Sequence, residues 1–279
     1  MPAYETPEPI SVTIELPVGD IRIVAGDRAD TVVTVVPTDA KRDSDAKAAE
    51  RVSVDYSGGR LLVKAPKQYL PFGHSGSSDV CIEMPAGSQL RGTVGSAALR
   101  CDGRLALCHF KSGMGDIELD ETDSLYLEAT SSDITVRRVH GRAEVILGSG
   151  AVRLAEIDGP SVIKNTNGDV WVGVAHDDAR LTAANGSVSL DRAHGSVEVK
   201  VANGSIGLGE VQRGSIGIET GVGELEVGIR EGTAARLDLR TRRGTVRNYL
   251  TSIDGPMPTE ETVEVRARTS MGDIVIRRA

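Results

Sequence analysis

With 279 residues and only 3% aromatic side chains, the chain must build its core from Val, Ile, Leu and Ala in thin layers, which suits two sheets about 10 Å apart. Forty acidic against 32 basic residues leave a net charge of −8, which excludes a general nucleic-acid surface, because phosphate binding needs a basic stripe and single-strand binding needs stacked aromatics. There is no run of 18 apolar residues and no transmembrane segment is expected, while MPAYETPEPI lacks the basic and apolar regions of a signal peptide, so the expected location is cytoplasmic.

Residues 1–9 read as a flexible N-terminus and residues 10–66 as an N-terminal β cap with one short helix. Ile10 to Leu16 alternates as I-S-V-T-I-E-L, residues 17–20 turn, and Ile21 to Val24 returns as a strand. Thr31 to Val36 is a β-branched run expected to be buried on both faces. Ala40 to Glu50, AKRDSDAKAAE, is the one helical candidate. Val52 to Tyr56 and Leu61 to Ala65 flank Ser57-Gly58-Gly59-Arg60 and predict a hairpin. Residues 67–79, rich in Gly, Ser and Pro, predict a flexible loop.

From residue 80 to 279 the pattern predicts a parallel β-solenoid continuous with the cap. It starts irregularly, with strands at Val80 to Gly87, Leu99 to Cys101 and Leu105 to Leu107, and then locks into a nine-residue frame at Met114. The frame is clearest where NGSVSLDRA (Asn185 to Ala193) is followed by HGSVEVKVA (His194 to Ala202) and NGSIGLGEV (Asn203 to Val211). Each unit has a polar corner residue, Gly, Ser, and an alternating strand whose fourth and sixth places are apolar. Asn heads the units at 167, 185 and 203, whereas His or Asp heads those at 140, 158, 176 and 194. The coil is therefore two units, 18 residues with two strands. Beyond Gly221 the segments 222–229, 235–241 and 244–250 are expected to continue the coil, and 262–279 to close it after a Pro-containing loop.

One coil cannot stand alone. Val188, Leu190, Val197 and Val199 contribute roughly 1.5–3 kcal/mol each when fully buried, whereas ordering the backbone costs about 1–2 kcal/mol per residue. Neighbouring coils must supply the missing burial and pair the strand edges, about 4.8 Å apart. The general preference of parallel crossovers predicts a right-handed coil.

The strands opening G-[DS]-[IV]-x-[VIL] at Gly115, Gly168, Gly186, Gly204 and Gly272, with the closing T-x-M-G-D-I-x-I pattern, resemble the bacterial DUF4097 group of Toastrack, adhesin-like domains from about Ile10 onward. The resemblance implies a β-solenoid linked in some settings to cell-surface adhesion, or to scaffolding in envelope-stress and membrane-associated signalling. The missing export signal sits poorly with a surface adhesin. The calcium-binding β-roll shares the nine-residue half-turn but requires GGxGxD, which this chain lacks, so calcium is not expected.

His140, Asp158, His176 and His194 recur every 18 residues and should stack in one corner column. Such imidazoles could hold Zn or Ni, yet metal centres need converging ligands with ordered outer partners, so solvated corner residues are the expectation and no metal or cofactor is assigned. The column Asn167, Asn185, Asn203 reads as turn residues able to ladder. Trp171 is the only Trp; with Arg153 and Arg137 it marks a candidate partner surface, and packing under the cap is the alternative. Cys81, Cys101 and Cys108 form no C-x-x-C and read as small hydrophobes in a reducing compartment. Neither a nucleophile–His–Asp set nor a phosphate loop is visible, and the glycines precede strands rather than helices.

These features favour a non-enzymatic interaction or scaffold protein that presents flat faces to a protein partner. A carbohydrate-binding or polysaccharide-acting β-helix is the alternative, disfavoured by uninterrupted central coils and scarce aromatics. A third reading is self-association through the terminal coils.

Overall fold

The computed structural model describes residues 2–66, 76–251 and 261–279. Residues 67–75 of the expected flexible loop, and 252–260 of the Pro-containing loop, lie outside the described residues. Among those described, the chain is nearly all strand with one helix, Asp43–Glu50, and most strand pairs are parallel. Its fold is of the all-β solenoid class, and the chain divides into two compact units, Met1–Arg137 and Arg138–Ala279.

In the first unit, one sheet runs in the order Ala3–Glu5, Asp30–Pro37, Ser78–Pro85, Ile21–Gly26, Leu99–Leu105, Ile117–Thr122. The other runs Ser53–Ser57, Arg60–Lys64, Ser11–Val18, Gln89–Ser96, Leu107–Met114, Leu125–Ser131. The hairpin forms at Gly58 and Gly59, whose φ of 54° and 74° suit a two-residue turn.

Four details of this unit differ from the sequence reading. Residues 1–9 are not simply a flexible end: Ala3–Glu5 is a strand paired antiparallel with Asp30–Pro37, and the Thr6 hydroxyl is buried against that of Thr31. The β-branched run is not buried on both faces. As Asp30–Pro37 it pairs antiparallel with Ser78–Pro85 and with the short Ala3–Glu5 strand near the sheet edge, and buries Thr31 and Val33 while Val36 is 44% exposed. An antiparallel strand with one solvated face alternates in this way. Leu105 to Leu107 is not a strand; Ala106 is the corner between Leu99–Leu105 and Leu107–Met114. Gln89–Ser96 is a strand that its glycines conceal: Gly92 lies under the fully buried ring of Phe110, where a Cβ would come within 2.3 Å of the ring.

The second unit is the regular part. One sheet begins Val152–Ile157, Val170–Ala175, Val188–Ala193, Ile206–Val211, Leu225–Ile229; the other begins Ala143–Ser149, Ser161–Asn167, Ala179–Asn185, Val197–Asn203, Gly214–Val222. Val170 pairs with Val188 and Val188 with Ile206, while Ser161, Ala179 and Val197 align on the other face. The two half-coils are not equivalent. Val197, Val199 and Val201 point inward at the fourth, sixth and eighth places, whereas Val188, Leu190 and Ala193 do so at the fourth, sixth and ninth. In the second kind of half-coil, places seven and eight both stay out of the core, and that shift builds the corner described below.

Corners are closed by backbone contact and by side-chain caps. Gly186 has φ +130°, and a Cβ on it would meet the Gly168 carbonyl oxygen at 2.2 Å, so only glycine lets one coil descend onto the next. Asp169 Oδ1 accepts from the Ser187 N–H at 2.8 Å and Asp178 Oδ1 from Ser196 N–H at 2.9 Å, satisfying donors that the turn removes from the ladder.

The last two coils stack in the opposite order to the sequence. Glu261–Met271 pairs with Gly214–Val222 on one side and Thr233–Arg243 on the other, and Ile274–Arg278 lies between Leu225–Ile229 and Val246–Asn248. The expectation that 262–279 closes the coil is thus overturned: the outermost coil is 233–248. Burial supplies the reason. Val263, Val265, Ala267, Ile274 and Ile276 are buried in the inserted coil, whereas Leu237 and Leu239 are half-buried and Val246 is 41% exposed in the outer one.

Candidate functional site

The most concentrated chemistry lies at one corner of the second unit. Two positions at this corner, the eighth place of one unit and the first place of the next, flank an inward side chain: Ile157 is buried, with Glu156 and Asp158 on either side of it. One coil earlier these positions carry Arg138 and His140, and one coil later Val174 and His176. The corner therefore sets two short columns side by side.

Their side chains converge. Arg138 bridges both carboxylates, with Nη1 at 3.1 Å from Glu156 Oε2 and Nη2 at 3.0 Å from Asp158 Oδ2. His140 Nδ1 stands 3.3 Å from Asp158 Oδ2. From the other side, His176 Nε2 is 2.9 Å from Glu156 Oε1 and 3.7 Å from Asp158 Oδ1. The His194 ring meets that of His176 edge-on, centroids 5.1 Å apart, and burial, then the neighbouring His176, holds its pKa below the ordinary value. Asp158 thus lies between His140 and His176, as the 18-residue spacing suggests. Glu156, which completes the cluster, was not singled out from the sequence. Its signal was the alternation of Arg138 and Glu156 at the same place of successive coils. Glu156, Asp158 and His176 each offer a ligand atom within 4.8 Å of the others, the only such group of three among the described residues.

Trp171 reaches across to the next coil: its indole N–H donates to both Asp191 carboxylate oxygens at 3.2 Å, and its ring edge lies over Gly173. Arg153 is its ladder neighbour on one side and Ser189 on the other. Arg137, in the first unit, is engaged with Asp120 and Glu121. The asparagine column is a ladder, with Asn185 Nδ2 donating to Asn167 Oδ1 at 2.9 Å and Asn203 Nδ2 to Asn185 Oδ1 at 3.0 Å. All three cysteines are free thiols; burial pushes that of Cys101 up to about 12 and raises Cys108 further, so neither supplies a thiolate nucleophile at neutral pH.

Stacked parallel coils, glycine corners and capped ladders define the class as a β-solenoid repeat domain. The chain belongs to the Toastrack DUF4097 family, whose model matches residues 10–277. Among solved structures it is similar to an adhesin-type protein of Parabacteroides distasonis (12% identity, TM-score 0.35, covering 98% of this chain and 95% of that one). It is also similar to one of Bacteroides fragilis (11%, 0.31, 99% and 95%) and to a cell-adhesion-type protein of Clostridium sporogenes (10%, 0.24, 100% and 98%). No curated protein matches the sequence. No helix among the described residues is long and apolar enough to cross a membrane.

Proposed function

We propose that this domain is a non-enzymatic interaction module that binds a protein partner on the strand face carrying Trp171, as part of an envelope-stress or membrane-associated signalling assembly. The observation that carries this reading is the way Trp171 is presented. The indole is half-buried, pinned by Asp191 and supported on Gly173. The row beyond it falls away to Ser189 and then Gly207, where a Cβ would meet nothing within 4 Å. An aromatic ordered before contact costs little entropy to bury and is the residue type that anchors protein interfaces. Arg153 beside it adds a charged rim. The three free thiols fit a reducing compartment, which supports a cytoplasmic module.

The test is retention of a co-purifying host protein, with membranes included, by wild type and by three surface variants. Trp171→Ala and Gly207→Trp, which fills the shelf, are expected to lose the partner, whereas Arg180→Ala on the other sheet is expected to keep it. Equal retention by all three removes this face from the proposal.

A further inference from the structure

Independently of that reading, we propose that Glu156, Asp158 and His176 form a binding site for a borderline divalent transition metal such as Zn²⁺, locking two successive coils together at their corner. The bland alternative is an ordinary surface ion-pair network. Three observations favour a site.

The first is convergence. Tetrahedral coordination with bonds of about 2.0–2.2 Å sets ligand atoms roughly 3.3 Å apart, and His176 Nε2 stands 2.9 Å from Glu156 Oε1 and 3.7 Å from Asp158 Oδ1. All three ligand atoms fall within 4.8 Å of one another, so side-chain rotation alone would bring them round an ion at that bond length.

The second is the outer shell. Arg138 holds Glu156 by Oε2 and Asp158 chiefly by Oδ2, and His140 also meets Asp158 at Oδ2. The oxygens nearest His176 are the other two, Glu156 Oε1 and Asp158 Oδ1, although Arg138 Nη2 lies 3.0 Å from the latter as well. Carboxylates oriented from behind in this way are the usual support of ligating groups.

The third is charge. Two carboxylates against one guanidinium favour a cation between them. The cluster is only partly exposed, with side-chain accessibilities of 27% for Asp158, 33% for Glu156 and 37% for His176. It therefore leaves a solvent position for a fourth ligand. One nitrogen and two carboxylates match Zn²⁺ or Ni²⁺ better than Ca²⁺, which takes six to eight oxygens.

Arg138 makes the proposal distinctive, because its charge opposes the ion while its hydrogen bonds orient the ligands. The experiment is calorimetric titration of the full, untagged chain with ZnCl₂, with Co²⁺ absorption as an independent report of coordination. One ion per chain is expected. His176→Ala and Asp158→Asn should weaken binding more than about tenfold, at least the scale on which loss of an outer-shell partner counts. His109→Ala, outside the cluster, should bind as wild type. Circular dichroism establishes that each variant is folded, and ¹⁵N spectra of the wild type should show the His176 Nε2 resonance shifting on Zn²⁺ addition. No heat and no Co²⁺ band with wild type, or undiminished binding by folded His176→Ala, overturns the proposal.

Discussion

Gly186 shows how much of this fold rests on single corner residues. Its φ of +130° and the 2.2 Å approach of a notional Cβ to the Gly168 oxygen leave no room for a side chain, and the same contact recurs from Gly204 to the Gly186 oxygen at 2.1 Å. Gly186→Ala is expected to cost about 1–3 kcal/mol, the range for a residue forced into a sparsely populated conformation, read as a lower urea midpoint. Gly207→Ala, in open space, should change stability by no more than about 0.5 kcal/mol. Equal losses would show that the corner is not the constraint. Residues like these were legible in the sequence because a repeated glycine before an alternating strand has a backbone meaning. Glu156 was not: its neighbours in space come from separate coils, and its role depends on the chain burying Ile157 at a ninth place that strict alternation does not predict.

At the scale of the element, the inserted last coil changes what should be stable. Glu261–Met271 has a hydrogen-bonded partner on both sides, Gly214–Val222 and Thr233–Arg243, whereas Thr233–Arg243 has a neighbour on one side only. Hydrogen exchange is therefore expected to be slower along Val263–Ala267 than along Ala235–Leu239, although the former lies nearer the C-terminus, where fraying is usual. The reverse ranking would contradict the observed strand order. Corner glycines agree with that order, since a Cβ on Gly272 would meet the Gly223 oxygen and one on Gly244 the Gly272 oxygen, each at 2.0 Å. Periodicity located both coils in the sequence but could not rank them. Two strands with the same pattern are interchangeable until their apolar content is weighed against the positions on offer, one buried on both sides and one facing solvent.

For the whole molecule the question is what keeps a stack of strands from growing through its ends. The chain carries a net charge of −8, yet its outermost C-terminal coil carries Arg236, Arg240, Arg242, Arg243 and Arg247 against the single acid Asp238. Two such edges repel each other, and charged edges are a common guard against strand-to-strand association. Replacing Arg240, Arg242 and Arg243 with Thr is expected to raise the mass seen by light scattering as concentration increases, while the wild-type mass stays constant. If the variant's mass is also constant, the arginines do not guard this edge.

The sequence by itself determined the solenoid, its paired half-coils, the glycine corners and the asparagine ladder. Each follows from a local rule of period or turn geometry, or from hydrogen bonding between like residues at a constant spacing. Only the tertiary structure decided which coil ends the stack, which carboxylate joins the histidine corner, and that Trp171 is held by Asp191. These depend on contacts between coils and on competition for buried positions, where the winner is set by the neighbours rather than by the residue's own segment.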